Sequence, residues 1–341
     1  MKYSFFNDYS EGAHPRILEA LVANNGGQEL GYGDDSFTAQ AKALLKQQCA
    51  ADPDIYFLTG GTQTNLLAIA AMLKPWESVI SAESGHIAVH EAGAIEATGH
   101  KVNTIKTRDG KLTPELIDPV VEEHKMPHMV LPHAVFIANA TEVGTVYSKN
   151  EIQALSDYCH SHNLLLYLDG ARLGTVLCDP SNDLKLADLA TLTDMFYIGG
   201  TKNGALFGEA VIVNNQELKK NFFRNIKQHG ALLPKGRAVS IQFLELFKDG
   251  LFKDLAAHAN SMAQKLSLGI KELGLEFLTS STTNQIFPIL NIEQIATLEK
   301  EYGFYVWEKV DDTKSAIRLV TSWATPDSAI DIFLADLRQI I

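Results

Sequence analysis

Two short polar segments set in apolar surroundings hold the residues best suited to chemistry. They are Leu164-Leu-Leu-Tyr-Leu-Asp-Gly-Ala-Arg172 and Met195-Phe-Tyr-Ile-Gly-Gly-Thr-Lys-Asn203. Each reads as a buried strand, a continuous apolar run bounded by glycine, with a charged side chain at its C-terminal end. Between them, Asp183–Thr193 reads as a crossover helix, so the two strands can lie parallel and deliver Asp169 and Lys202 to one sheet edge. Ligands bind at that edge of open α/β sheets. An acid and an amine there could be a structural ion pair. They also suit pyridoxal phosphate, which needs a lysine for its Schiff base and an acid to keep its pyridine nitrogen protonated.

Other segments add candidates. Gly60-Gly-Thr-Gln-Thr-Asn65 lies between the expected strand Asp54–Thr59 and the expected helix Leu66–Leu73. Backbone N–H groups at a helix start make a phosphate seat, although a plain helix cap has the same composition. The segment is neither a Walker loop nor a dinucleotide fingerprint. His86 opens a helix expected over His86–Thr98, where an imidazole can cap, stack on an aromatic ring or move a proton. Ala140-Thr-Glu-Val-Gly144 presents polar residues at the same edge. Arg318 stands inside the apolar strand Ala316–Val320, a costly position unless an anion meets it, which makes it a candidate grip for a carboxylate. Tyr32 lies in a glycine-rich loop, and Lys235 in the cationic loop Ala231–Arg237.

These residues need a scaffold of alternating strands and helices. Strands are expected at Ser78–Ala82, Lys101–Lys106 and His133–Ala138, with helices at Pro114–His124 and Asn150–His162, a βαβ rhythm that predicts a largely parallel sheet between helical layers. Glu209–Asn214 reads as a further strand, and Gln216–Gly230 as one polar helix. The 341 residues, 46% hydrophobic, suggest three parts: an arm at 1–33, a large domain at 34–245 and a small α+β domain at 246–341. A net charge of −12 without a basic run argues against nucleic acid or an anionic membrane as partner. Cys49, Cys159 and Cys178 lack metal-ligand or disulfide spacing. With no signal peptide and no membrane-length apolar run, a soluble cytoplasmic protein is expected.

In combination the motifs resemble the low-specificity L-threonine aldolases of the β-eliminating lyase group, pyridoxal-phosphate enzymes with the aspartate-aminotransferase fold (fold type I). The resemblance rests on Tyr-Gly-Asp-Asp from Tyr32, Gly-Thr-Gln from Gly61, the helix-opening His86 with Glu-Ala-Gly from Glu91, Asp-Gly-Ala-Arg from Asp169, Thr-Lys ending at Lys202, and Arg-Leu-Val-Thr from Arg318. It implies cleavage of L-threonine or L-allo-threonine to glycine and acetaldehyde. Phenylserine cleavage, another β-elimination, transamination or a non-enzymatic phosphate-binding module are the alternatives.

The resemblance also implies roles. Lys202 would carry the Schiff base and Asp169 would pair with the pyridine nitrogen. Gly61 and Thr62 would hold the phosphate, and His86 would stack on the ring. Arg172 would lie near the cofactor oxygen or the substrate carboxylate, which Arg318 would grip. Tyr32 and Lys235 would be lent across the interface of a homodimer or homotetramer. The chain departs from the family pattern twice. Asn7-Asp8-Tyr9 stands where Ser-Asp-Thr is usual, leaving carboxylate binding by Asn7 open, and Glu142 falls where an active-site histidine is common. The base is therefore His86 or Glu142, acting directly or through a water.

Overall fold

The computed structural model describes residues 1–341. Seven strands make the central sheet, in the spatial order Asp54–Leu58, Glu209–Val213, Met195–Gly199, Leu165–Asp169, Leu131–Ala138, Glu77–Ala82, Lys101–Ile105. Glu209–Val213 runs against both neighbours, and every other pairing is parallel. The expected mostly parallel α/β sheet is what forms. Its central strands Leu165–Asp169 and Met195–Gly199 are mostly apolar because both of their faces are covered. Leu166, Leu168, Phe196 and Ile198 enter one core, while Tyr167, Met195 and Tyr197 enter the core on the opposite face. The crossover helix is Leu186–Leu192, within the expected segment.

A second sheet is antiparallel, in the order Ile289–Asn291, Lys314–Val320, Tyr305–Lys309, with Gln285–Ile286 also pairing on Lys314–Val320. It packs under Leu251–Glu272 and Asp327–Ile340 around a third core. Leu251–Glu272 joins the two bodies: Leu251, Phe252 and Leu255 belong to the central-sheet core, and Met262, Ala263, Leu266 and Ile270 to the smaller one. The N-terminal arm is attached to this smaller body. Tyr3–Ser4 pairs in parallel with Tyr302–Gly303, and Phe5 is fully buried among its aromatic residues.

Several elements differ from expectation. The helix expected over His86–Thr98 is a single turn, His86–Val89, followed by loop and a 3-10 turn at Glu96–Thr98. Ala92 and Gly93 have φ of +51° and +75°, a left-handed backbone that no helix continues through. The helix expected to begin at Leu66 starts earlier, as Gly61–Met72, so the Gly-Thr-Gln-Thr segment is its first turn. The helix expected over Gln216–Gly230 is two pieces, Gln216–Lys219 and Phe222–Gln228. No helix is long and apolar enough to cross a membrane.

Candidate active site

The C-terminal ends of the parallel strands converge on one cleft. Asp169 is the last residue of its strand, Lys202 follows Met195–Gly199, Gly60 and Gly61 follow Asp54–Leu58, His86 follows Glu77–Ala82, and Glu142 follows Leu131–Ala138. The reversed strand brings its first residue, Glu209, to the same edge, opposite Leu58 and Gly199. A cavity of about 260 Å³ is lined by Gly60, Gly61, Thr62, His86, Glu142, Asp169, Thr201, Lys202 and Glu209. A second, of about 560 Å³, shares Tyr9, His86, Glu142 and Lys202 and adds His90, Arg172, Tyr305, Trp307 and Arg318. The two form one continuous cleft.

Buried hydrogen bonds set the smaller cavity. Asp169 accepts from Asn65 Nδ2 at 3.0 Å and from the Ala171 N–H at 2.9 Å. Asn65 also donates to Glu91 at 2.6 Å and accepts from the Tyr167 hydroxyl at 2.8 Å. Glu91 in turn meets His86 Nδ1 at 2.8 Å, so one run of contacts fixes both the acid and the imidazole. Burial pulls the His86 pKa down, but the Glu91 hydrogen bond and the charges of Glu142 and Asp169 leave it above its ordinary value. Burial, then the charge of Arg172, depress the Lys202 amine. Burial pushes the Glu209 carboxyl up to about 8, although it accepts from Thr201 Oγ1 at 2.8 Å and the Gly200 N–H at 3.1 Å.

Two arginines border the larger cavity in different states. Arg172 makes a bidentate contact with Asp8, at 2.8 Å from Nε and 3.1 Å from Nη2, and Asn284 donates to the same carboxylate at 2.9 Å. Burial opposes the Asp8 charge, yet the charges of Arg172 and Lys202 and the hydrogen bonds from Arg172 and Asn284 together hold the carboxyl below its usual range. Arg318 has no acidic partner. Its Nη2 reaches the Phe6 carbonyl at 3.4 Å, and its buried Nε meets no acceptor.

The cleft brings together Lys202, Asp169, His86, Glu142, Gly61, Thr62, Arg172 and Arg318. Asn7, Tyr32 and Lys235 line neither cavity. Asn7 Oδ1 accepts from the Tyr9 N–H and the Ser10 hydroxyl, both at 3.0 Å, within its own turn. The Tyr32 N–H donates to the Pro234 carbonyl at 3.1 Å, so the Tyr32 loop rests on the loop carrying Lys235. Sequence reasoning passed over Asn65, Glu91, Glu209 and Asp8 as site residues. Glu91 stood within a quoted motif and Asp8 within a noted departure, but nothing local signals that Asn65 reaches forward 104 positions to Asp169.

The fold and the cleft define a class. The family model for beta-eliminating lyases matches residues 8–293, and the chain belongs to that family. Among its relatives is the low specificity L-threonine aldolase of Pseudomonas sp. (strain NCIMB 10558), 32% identical over 345 residues, an alignment covering 99% of this chain and 97% of the relative. A solved structure of a Leishmania major threonine aldolase is 48% identical, covers 99% of each chain and superposes with a TM-score of 0.97. A double mutant of Thermus thermophilus aspartate aminotransferase, 15% identical with a TM-score of 0.74, covers 100% of this chain and 92% of its own and shares the fold.

Proposed function

We propose that the chain is a pyridoxal-phosphate-dependent aldolase that cleaves L-threonine and L-allo-threonine to glycine and acetaldehyde. The observation that carries this reading is one cleft holding a depressed lysine amine, an acid fixed from behind by Asn65, and an arginine with no acid of its own. The donor set fits the cofactor. Gly61 and Thr62 open a twelve-residue helix and line the cavity, and N–H groups at a helix start suit a phosphate. Lys202 and Asp169 line the same cavity, as a carbonyl carbon and a ring nitrogen require. When bound, pyridoxal phosphate supplies an electron-accepting ring for the charge left on the α-carbon.

The chain supplies the rest. Asp169, locked by two donors, keeps a proton on the ring nitrogen. His86, tied through Nδ1 to Glu91, offers its flat face for stacking. Depression of the Lys202 amine raises its neutral, nucleophilic fraction. Arg318 grips the substrate carboxylate and so turns the Cα–Cβ bond into the breaking orientation. For the base we favour Glu142, directly or through a water. It lines both cavities and receives no hydrogen bond, whereas His86 has one ring nitrogen, Nδ1, already held by Glu91 and only Nε2 left to take a proton. Tyr32 and Lys235 would serve the partner's cleft in a homodimer or homotetramer, a role that accords with their lining neither cavity of this chain's own cleft. Three free thiols suit a cytoplasmic setting.

The test is aldehyde release from threonine, allo-threonine, phenylserine and serine, with visible spectra before and after borohydride. Turnover of threonine that disappears in Lys202→Ala, together with the bound chromophore, is expected. Aldehyde release at the parental rate in that variant would overturn the proposal.

A further inference from the structure

Arg318 sits in strand Lys314–Val320, most of whose residues are buried. A guanidinium in such a place ordinarily has a carboxylate beside it, because an unpaired buried charge is costly. Here the guanidinium carbon instead lies 4.9 Å from the ring centroid of Tyr305 and 4.9 Å from that of Trp307. Both rings come from the neighbouring strand Tyr305–Lys309, on which Tyr305 is the direct cross-strand partner of Arg318. The register then shifts: Val306 opposes Ile317 and Glu308 opposes Ala316, so Trp307 is the extra residue of a bulge. Bulges re-aim a side chain at the cost of one ladder position, and this one leaves an indole beside the cation.

We infer that Tyr305 and Trp307 are positioning residues that stand in for a counter-ion, holding Arg318 through their π faces so that no carboxylate of the chain occupies its N–H edge and a substrate carboxylate can. This deepens the function proposed above and rests on it. A π face attracts a cation without using its hydrogen-bond donors, whereas a carboxylate partner would occupy the same edge the substrate needs. Arg172 shows that second arrangement, with Asp8 on both its Nε and Nη2. The rings are themselves braced. Phe6 packs edge-on against Tyr305 at 4.6 Å, and Phe287 against Trp307 at 5.4 Å. Asp8 and Glu142 attract Arg318, and Arg172 repels it. Without the rings these charges would draw the guanidinium out of line.

The experiment is steady-state cleavage of L-threonine by the holoenzyme carrying Trp307→Leu, Trp307→Phe or Tyr305→Leu. Loss of one cation–π partner at this partly exposed site should raise KM about three- to tenfold in either leucine variant, with any fall in kcat smaller than the rise in KM, and Trp307→Phe should recover most of the affinity. Unchanged KM in the leucine variants, a loss confined to kcat, or phenylalanine behaving like leucine would each overturn the inference. Tyr305 is 46% exposed, so Tyr305→Leu keeps the test open should Trp307→Leu fail to fold. Failure of the parent enzyme to cleave threonine would sink the proposed function instead, so the two failures are distinguishable.

Discussion

Glu142 is the one carboxylate that faces both halves of the cleft, and no donor in the chain reaches it. If it takes the β-hydroxyl proton, Glu142→Gln keeps the shape and removes the acceptor for that proton. Turnover should then fall about 10²- to 10⁴-fold with KM little changed, measured as aldehyde release at saturating threonine. Glu209 allows a prediction about pH. Its ordinary value is 4.5 and the folded value about 8, so across that window the folded chain keeps a proton that the unfolded chain releases. Its contribution to stability is full below the lower value and is lost as pH rises through the upper one. The cofactor-free protein should therefore lose thermal stability as pH rises from 4.5 to about 8, and Glu209→Gln should flatten that loss. Equal slopes for both proteins in paired melts would show that the carboxyl does not titrate there.

At the scale of elements, close approach of backbones decides where the acid and the amine end up. A Cβ on Gly170 would lie 1.9 Å from the Tyr197 carbonyl oxygen, in the strand that leads to Lys202. Gly170→Ala should therefore push the two strands apart. A loss of about 1–3 kcal/mol in a denaturant melt is expected, with weakened cofactor retention. The paired strands were legible in the sequence because each is a short apolar run closed by glycine, and that pattern survives without tertiary information. The single turn at His86 was not. His86–Thr98 has helical composition, and only the tie from Glu91 to His86 and Asn65, with Ala92 in the left-handed region, tells against a longer helix. The reversal of Glu209–Val213 was equally hidden, because an apolar run reads the same in either direction. Arg318 was readable as an unpaired cation in an apolar strand. Its aromatic partners were missed because the strand Tyr305–Lys309 itself went unrecognised, its residues being mostly exposed.

Across the whole molecule, the arm couples the two bodies. Phe5 is buried in the smaller core, 4.7 Å from Tyr3 and 5.3 Å from Phe333 between ring centroids, while Asp8, three positions on, pairs with Arg172 of the larger body. Phe5→Ala should cost about 3–5 kcal/mol by chemical denaturation. It should also raise KM for threonine, because Phe6 and Asp8 both border the arginine sites. A variant with intact affinity would show the arm to be a passive anchor. The hairpin from Thr201 to Glu209 has a different consequence, for the order of assembly. Its contacts close over eight positions, whereas Asp8 and Arg172 are 164 apart. Loop closure over so short a span costs little chain entropy, so the bed of Lys202 can form early during refolding while Asp8 and Arg172 are still searching for each other.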